Sequence, residues 1–166
     1  MEKRAQAKEL GIAVVGSGRI GTLRARLAAK HPAVRFLAVS DKDPAQAQKL
    51  AELAGADFYS ADNAEVIAHP QVNAVFVSTP EGEHAAPVCK ALELGKPVLV
   101  EKPLALSLND AEAIFKTLQA TSGTLRVGYS RRFKGCFLRA KEQMRLGAGA
   151  RRADLLRRPD VLVPRG

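Results

Sequence analysis

An apolar run that ends in a glycine turn and opens a helix constrains this chain more than any other stretch. Ile12-Ala13-Val14-Val15 has the length and Val/Ile content of a strand buried on both faces. From Arg19 to Lys30 the apolar residues Ile20, Leu23 and Leu27 recur at helical spacing. Between them lies Gly16-Ser17-Gly18-Arg19-Ile20-Gly21, so the glycines occupy a strand-to-helix turn. Gly16 permits a tight turn, Gly18 lets backbone approach a pyrophosphate, and Gly21 allows close packing of helix on strand. The unpaired N–H groups and positive dipole end of such a helix predict an anion at this spot.

A carboxylate at the end of the next strand gives the turn its context. Arg35-Phe36-Leu37-Ala38-Val39-Ser40 reads as that strand and ends at Asp41, twenty residues past Gly21. There Asp41 accepts hydrogen bonds from the adenosine ribose hydroxyls and repels a 2′-phosphate, which favours NAD. Lys42 follows at once, and a cation beside the ribose tolerates that phosphate, so NADP stays open. The plainer alternative is that Asp41 starts the turn Asp41-Lys42-Asp43-Pro44 and N-caps the helix after it.

Beyond Asp41, helix-like and strand-like stretches alternate. Helices are predicted over Pro44–Leu53, Asp62–Ala68, Glu83–Leu94 and Leu108–Leu118, and strands over Asp57–Tyr59, Ala74–Ser78, Pro97–Val100 and Leu125–Tyr129. Six strands with intervening helices predict an α/β fold, a doubly wound parallel sheet of the Rossmann type in the order 3-2-1-4-5-6. Ligands of such sheets bind at the carboxyl ends of the strands. The segments to read are therefore Gly16 to Gly21, Asp41-Lys42, Ser78-Thr79-Pro80, Glu101-Lys102-Pro103 and Ser130-Arg131-Arg132, which are expected to converge on one site.

Charge separates the chain into two parts. Residues 1–130 hold 15 Lys/Arg against 14 Asp/Glu, and residues 131–166 hold 11 against 3, so the +9 net charge belongs to the C-terminal stretch. Phe133 and Phe137 are its only aromatics and no groove-reading motif accompanies them, so nucleic acid is not expected as a partner. No apolar run approaches the ~18 residues of a membrane span, and the charged N-terminus lacks the core of a signal peptide, which points to the cytoplasm. Cys89 and Cys136 stand apart from each other and from His31, His69 and His84, so the expectation is two reduced, mostly buried thiols and no metal.

Four stretches together resemble the Gfo/Idh/MocA family of NAD(P)-dependent oxidoreductases, which act mostly on sugars, inositols and related polyols. These are GSGRIG at 16–21, VFVSTP at 75–80 with His84 four residues on, GKPVLVEKPLA at 95–105 and VGYSRRF at 127–133, within a match from Leu10 to Gly147. The resemblance implies that Lys102 lies beside the nicotinamide and the substrate hydroxyl. Oxidising a secondary alcohol sends a hydride to the nicotinamide and a proton to a base, so a lysine of lowered pKa or a proton relay suits that position. The alternative is a surface lysine paired with Glu101. Pro103 is, by resemblance, a cis proline. His84 either lies near the cofactor or faces solvent in the first turn of its helix, and Arg131 either touches the cofactor or only solvates the exit from the sheet.

The implied organisation is a dinucleotide-binding domain over 1–130, a first helix of a second domain over 131–147 with Phe137, Ala140 and Met144 on one face, and a basic tail over 148–166. Family members continue past that helix into a sheet domain that binds substrate and usually makes the oligomer contact. Here an Arg/Ala/Leu/Pro-rich tail follows Gly147 instead, as in an out-of-frame or short natural product, and the second domain is expected to be absent. The expected activity is hydride transfer between a polyol or sugar and NAD, weak or lacking in this chain alone, with a homo-oligomer left open. The alternative is a non-catalytic nucleotide-binding or redox-sensing module.

Overall fold

The structure is a computed structural model and describes residues 9–145. The expected basic tail, 148–166, lies outside the described residues. Two compact units divide the chain, one ending at Gly128 and the other beginning at Tyr129.

The first unit carries six strands: β1 (Leu10–Val15), β2 (Val34–Ser40), β3 (Phe58–Ser60), β4 (Ala74–Val77), β5 (Val98–Val100) and β6 (Leu125–Val127). All pairings are parallel and the order is β3-β2-β1-β4-β5-β6, the doubly wound arrangement that the sequence predicts. Its helices are α1 (Arg19–Ala29), α2 (Pro44–Ala54), α3 (Asn63–Ala68), α4 (Ala85–Glu93) and α5 (Leu108–Thr121). The predicted helix start at Glu83 is instead a 3-10 turn, Glu81–Glu83, before α4. The second unit holds a 3-10 turn, Ser130–Phe133, and α6, Gly135–Arg145, on which Phe137 and Met144 are exposed. No described helix is long and apolar enough to cross a membrane.

Alternation along β1 divides the core. Ala13 and Val15 join Val66, Ile67, Val88, Leu92 and Ile114 of α3, α4 and α5, whereas Ile12 and Val14 join Ala25, Ala28, Leu50 and Ala51 of α1 and α2. Burial of each such valine, leucine or isoleucine contributes about 1.5–3 kcal/mol.

The face of α1 differs from its sequence pattern. Leu23 and Leu27 are 51% and 56% exposed, and the buried stripe is Gly21, Ala25 and Ala28. At Gly21 a side chain is excluded because the first turn of the helix packs on the glycine loop, where a Cβ would lie 1.8 Å from the Gly16 carbonyl oxygen. The expectation of buried thiols also fails in part: Cys89 is half-buried, and Cys136 is exposed on α6.

Candidate functional site

Strand register brings four of the five predicted segments to one edge of the sheet, while Ser130-Arg131-Arg132 lies in the second unit. Val15 pairs with Ser40 on one side and Val77 on the other, and Val77 pairs with Val100. The next residues of these strands, Gly16, Asp41, Ser78 and Glu101, therefore begin four neighbouring loops.

In the first loop Gly16 has a φ of +96°, and a Cβ there would meet the Ser78 carbonyl carbon and the Thr79 amide at 2.7 and 2.8 Å. The turn thus packs directly on the end of β4. Gly18 contrasts with its neighbours, since a Cβ at that position has no protein atom within 4 Å. It is the N-cap residue of α1, with no side chain bonded to the first-turn amides and no acidic residue in that turn. Arg19 is exposed and Ile20 half-buried at the start of the helix. The turn therefore combines free backbone donors, a positive dipole end and open space, which is what a diphosphate needs.

Asp41 is tied to this loop. One carboxylate oxygen accepts from the Ser17 amide at 2.8 Å and from the Ser17 hydroxyl at 2.5 Å, and the other accepts from the Asp43 amide at 3.0 Å. Burial pushes its carboxyl up, but the Ser17 and Asp43 hydrogen bonds and the Lys42 charge outweigh that, so it sits below the ordinary 3.8. The helix-cap alternative for Asp41 is not realised: Asp43 caps α2, accepting from the Ala45 amide at 2.9 Å. Lys42 bonds the Glu83 carboxylate at 2.5 Å, which raises its pKa.

After β4, the Ser78 and Thr79 hydroxyl oxygens are buried with no hydrogen-bond partner, and Pro80 is exposed. Buried hydroxyls left without a partner are uncommon, and at the carboxyl ends of parallel strands they suit a bound polar group. His84, at 1% exposure, is not the solvent-facing residue that one reading allowed. Its Nδ1 lies 2.9 Å from the Pro103 carbonyl oxygen and its Nε2 lies 3.1 Å from that of Thr79. The imidazole therefore bridges the turn after β4 to the turn after β5.

At the end of β5, Glu101 binds Arg24 of α1, with Nη2 and Nε at 2.5 and 3.0 Å from one carboxylate oxygen. The surface-pair reading of Lys102 with Glu101 fails accordingly. Lys102 is exposed, takes part in no ion pair among the described residues, and precedes a cis peptide bond to Pro103. Arg131 lies in the second unit, exposed in its 3-10 turn. Three residues with roles in this architecture escaped the sequence reading. Arg24 and Glu83 find partners 77 and 41 positions away, and Lys96 holds the end of α3 through the Ile67 and His69 carbonyl oxygens at 2.5 and 3.0 Å. Single-chain spacing carries no signal for any of them.

A doubly wound parallel sheet with an open glycine turn at its switch point defines a dinucleotide-binding Rossmann domain. The family described as an oxidoreductase family with an NAD-binding Rossmann fold matches residues 10–129, and the chain belongs to that family, Gfo/Idh/MocA. Its curated relatives include scyllo-inositol 2-dehydrogenase (NAD(+)) of Bacillus subtilis, 35% identical over 81% of this chain and 40% of the relative. Inositol 2-dehydrogenase of Rubrobacter xylanophilus is 33% identical over 87% of this chain and 42% of its own length. Among solved structures, scyllo-inositol dehydrogenase from Lactobacillus casei with bound NAD(H) and scyllo-inositol superposes with a TM-score of 0.78 at 27% identity, covering 85% of this chain and 42% of that one. The chain thus spans about two fifths of the length of the relatives it matches.

Proposed function

We propose that this chain is the cofactor-holding part of a cytoplasmic NAD-dependent dehydrogenase acting on a polyol or sugar, with the inositols of its relatives as the substrate class. The observation that carries the reading is the open space at Gly18 beside an uncapped helix start, set against a carboxylate held at the end of β2. In this reading the amides from Gly18 to Gly21 bind the diphosphate, with Arg19 and Ile20 flanking it, while Gly16 and Ser17 shape the turn by donating their amides to the Ser40 carbonyl oxygen and the Asp41 carboxylate. Asp41 accepts from the adenosine ribose hydroxyls, and Lys42 borders that end of the site. Ser78 and Thr79 give their unpartnered hydroxyls to the cofactor, with Pro80 and the His84 bridge fixing their turn. Glu101 acts through Arg24 to hold the end of β5 against α1.

The nicotinamide, when bound, accepts the hydride. Lys102 is the residue proposed to move the hydroxyl proton, its neutral amine receiving it in oxidation and its ammonium returning it in reduction, since its exposed side chain sits at the strand end with no carboxylate paired to it among the described residues.

Calorimetric titration of the purified chain with NAD tests the reading. Saturable binding that disappears in Gly18→Val with the circular dichroism spectrum unchanged is the expected result, and absence of binding in the unmutated chain overturns it.

A further inference from the structure

Lys42 and Glu83 join two loops of the candidate site that are 41 residues apart in sequence. Lys42 follows Asp41 directly, so it is the cation nearest in sequence to the carboxylate assigned to the ribose. Its ammonium is not free, because the Glu83 carboxylate holds it at 2.5 Å. Glu83 itself is placed by a rigid neighbour. It ends the 3-10 turn after β4, and the next residue is the buried His84, fixed to the Thr79 and Pro103 carbonyl oxygens.

A 2′-phosphate on the adenosine ribose brings close to two negative charges. It meets the Asp41 carboxylate, and the cation that offsets that repulsion is already neutralised. Resting on the dinucleotide reading above, we propose that Glu83 is a cofactor-selectivity residue. By engaging Lys42 it withholds the compensating charge that lies beside Asp41 among the described residues and so favours NAD over NADP. Both partners are exposed, at 72% and 43%, so the pair is weak and screened by salt. The size of the effect follows: an exchange of partners at an exposed lysine is worth a few-fold in affinity.

The test is calorimetric titration of NAD and NADP into the unmutated chain, Glu83→Gln, and the double variant Glu83→Gln with Lys42→Gln. Glu83→Gln is expected to tighten NADP binding by about two- to fivefold at low salt while NAD binding moves less than about twofold. The double variant is expected to lose that gain, because the freed ammonium is its source. An unmoved NADP-to-NAD ratio in Glu83→Gln, with NAD binding intact, overturns the inference alone. So does a gain that persists without Lys42, which would mean that only carboxylate repulsion had been removed. Failure of every variant to bind either nucleotide overturns the dinucleotide reading and this inference with it.

Discussion

Ser17 donates both its amide and its hydroxyl to a single oxygen of Asp41, at 2.8 and 2.5 Å. The phosphate-type turn and the carboxylate at the end of the neighbouring strand are thereby one hydrogen-bonded unit. The Ser17 contacts rank next after burial among the influences on the Asp41 carboxyl, and they pull it down.

An acid-dependent loss of stability follows. Asp41 is held below 3.8 in the folded chain, so folding favours its ionised form. The stabilisation is complete above that value and disappears as pH falls through the lower folded-state value. Asp41→Asn is expected to cost about 1–2 kcal/mol near neutrality. Its thermal midpoint should converge on that of the unmutated chain as pH falls from the ordinary 3.8 through the lower folded-state value. Melting curves from pH 2 to 7 check this, and a constant gap across the range would contradict it.

Gly18 and Gly21 should respond oppositely to a side chain. Gly18→Val meets no protein atom near its Cβ and is expected to keep the fold while blocking the dinucleotide. Gly21→Ala drives a methyl group to 1.8 Å from the Gly16 carbonyl oxygen and is expected to cost about 3 kcal/mol or more. Urea unfolding of the two variants separates these outcomes.

His84→Ala leaves a cavity and removes the ring from between two carbonyl oxygens. The expected loss is about 3 kcal/mol, combining lost packing with the loss of the ring N–H from a carbonyl acceptor. Chemical denaturation of the variant measures it, and a loss below about 1 kcal/mol would show that water replaces the bridge without penalty.

The two sides of α1 give a fourth contrast. Leu27→Lys, on an exposed position, is expected to change stability by less than about 0.5 kcal/mol. Ala25→Leu, at a position with no exposure, should cost about 1–3 kcal/mol through overpacking. Thermal unfolding of both variants distinguishes the observed face from the one that leucine spacing suggested.

That contrast also marks the limit of what the sequence makes legible. Strand order and the turn at Gly16 follow from local patterns, because a parallel strand buried on both faces and a glycine turn each have a signature within ten residues. Helix orientation does not follow, since tertiary packing buries Gly21, Ala25 and Ala28 and leaves Leu23 and Leu27 outside. The acid at Asp41 is visible by spacing, but the cap of α2 belongs to Asp43, and an aspartate at either position suits either task. The burial of His84 and the partners of Lys42 and Glu101 depend on loops that meet only after the sheet is assembled.

Both margins of the sheet, β3 and β6, are strands of three residues. A margin that short offers an incoming chain only a few unpaired amides and carbonyls, and on β6 the central residue is Arg126. Fibril growth by strand addition has almost no template here. Exposed apolar side chains, Leu23 and Leu27 on α1 with Leu106, Leu108 and Phe115 at and around α5, rather than the backbone of the sheet, are the surface through which misassembly of the first unit would begin.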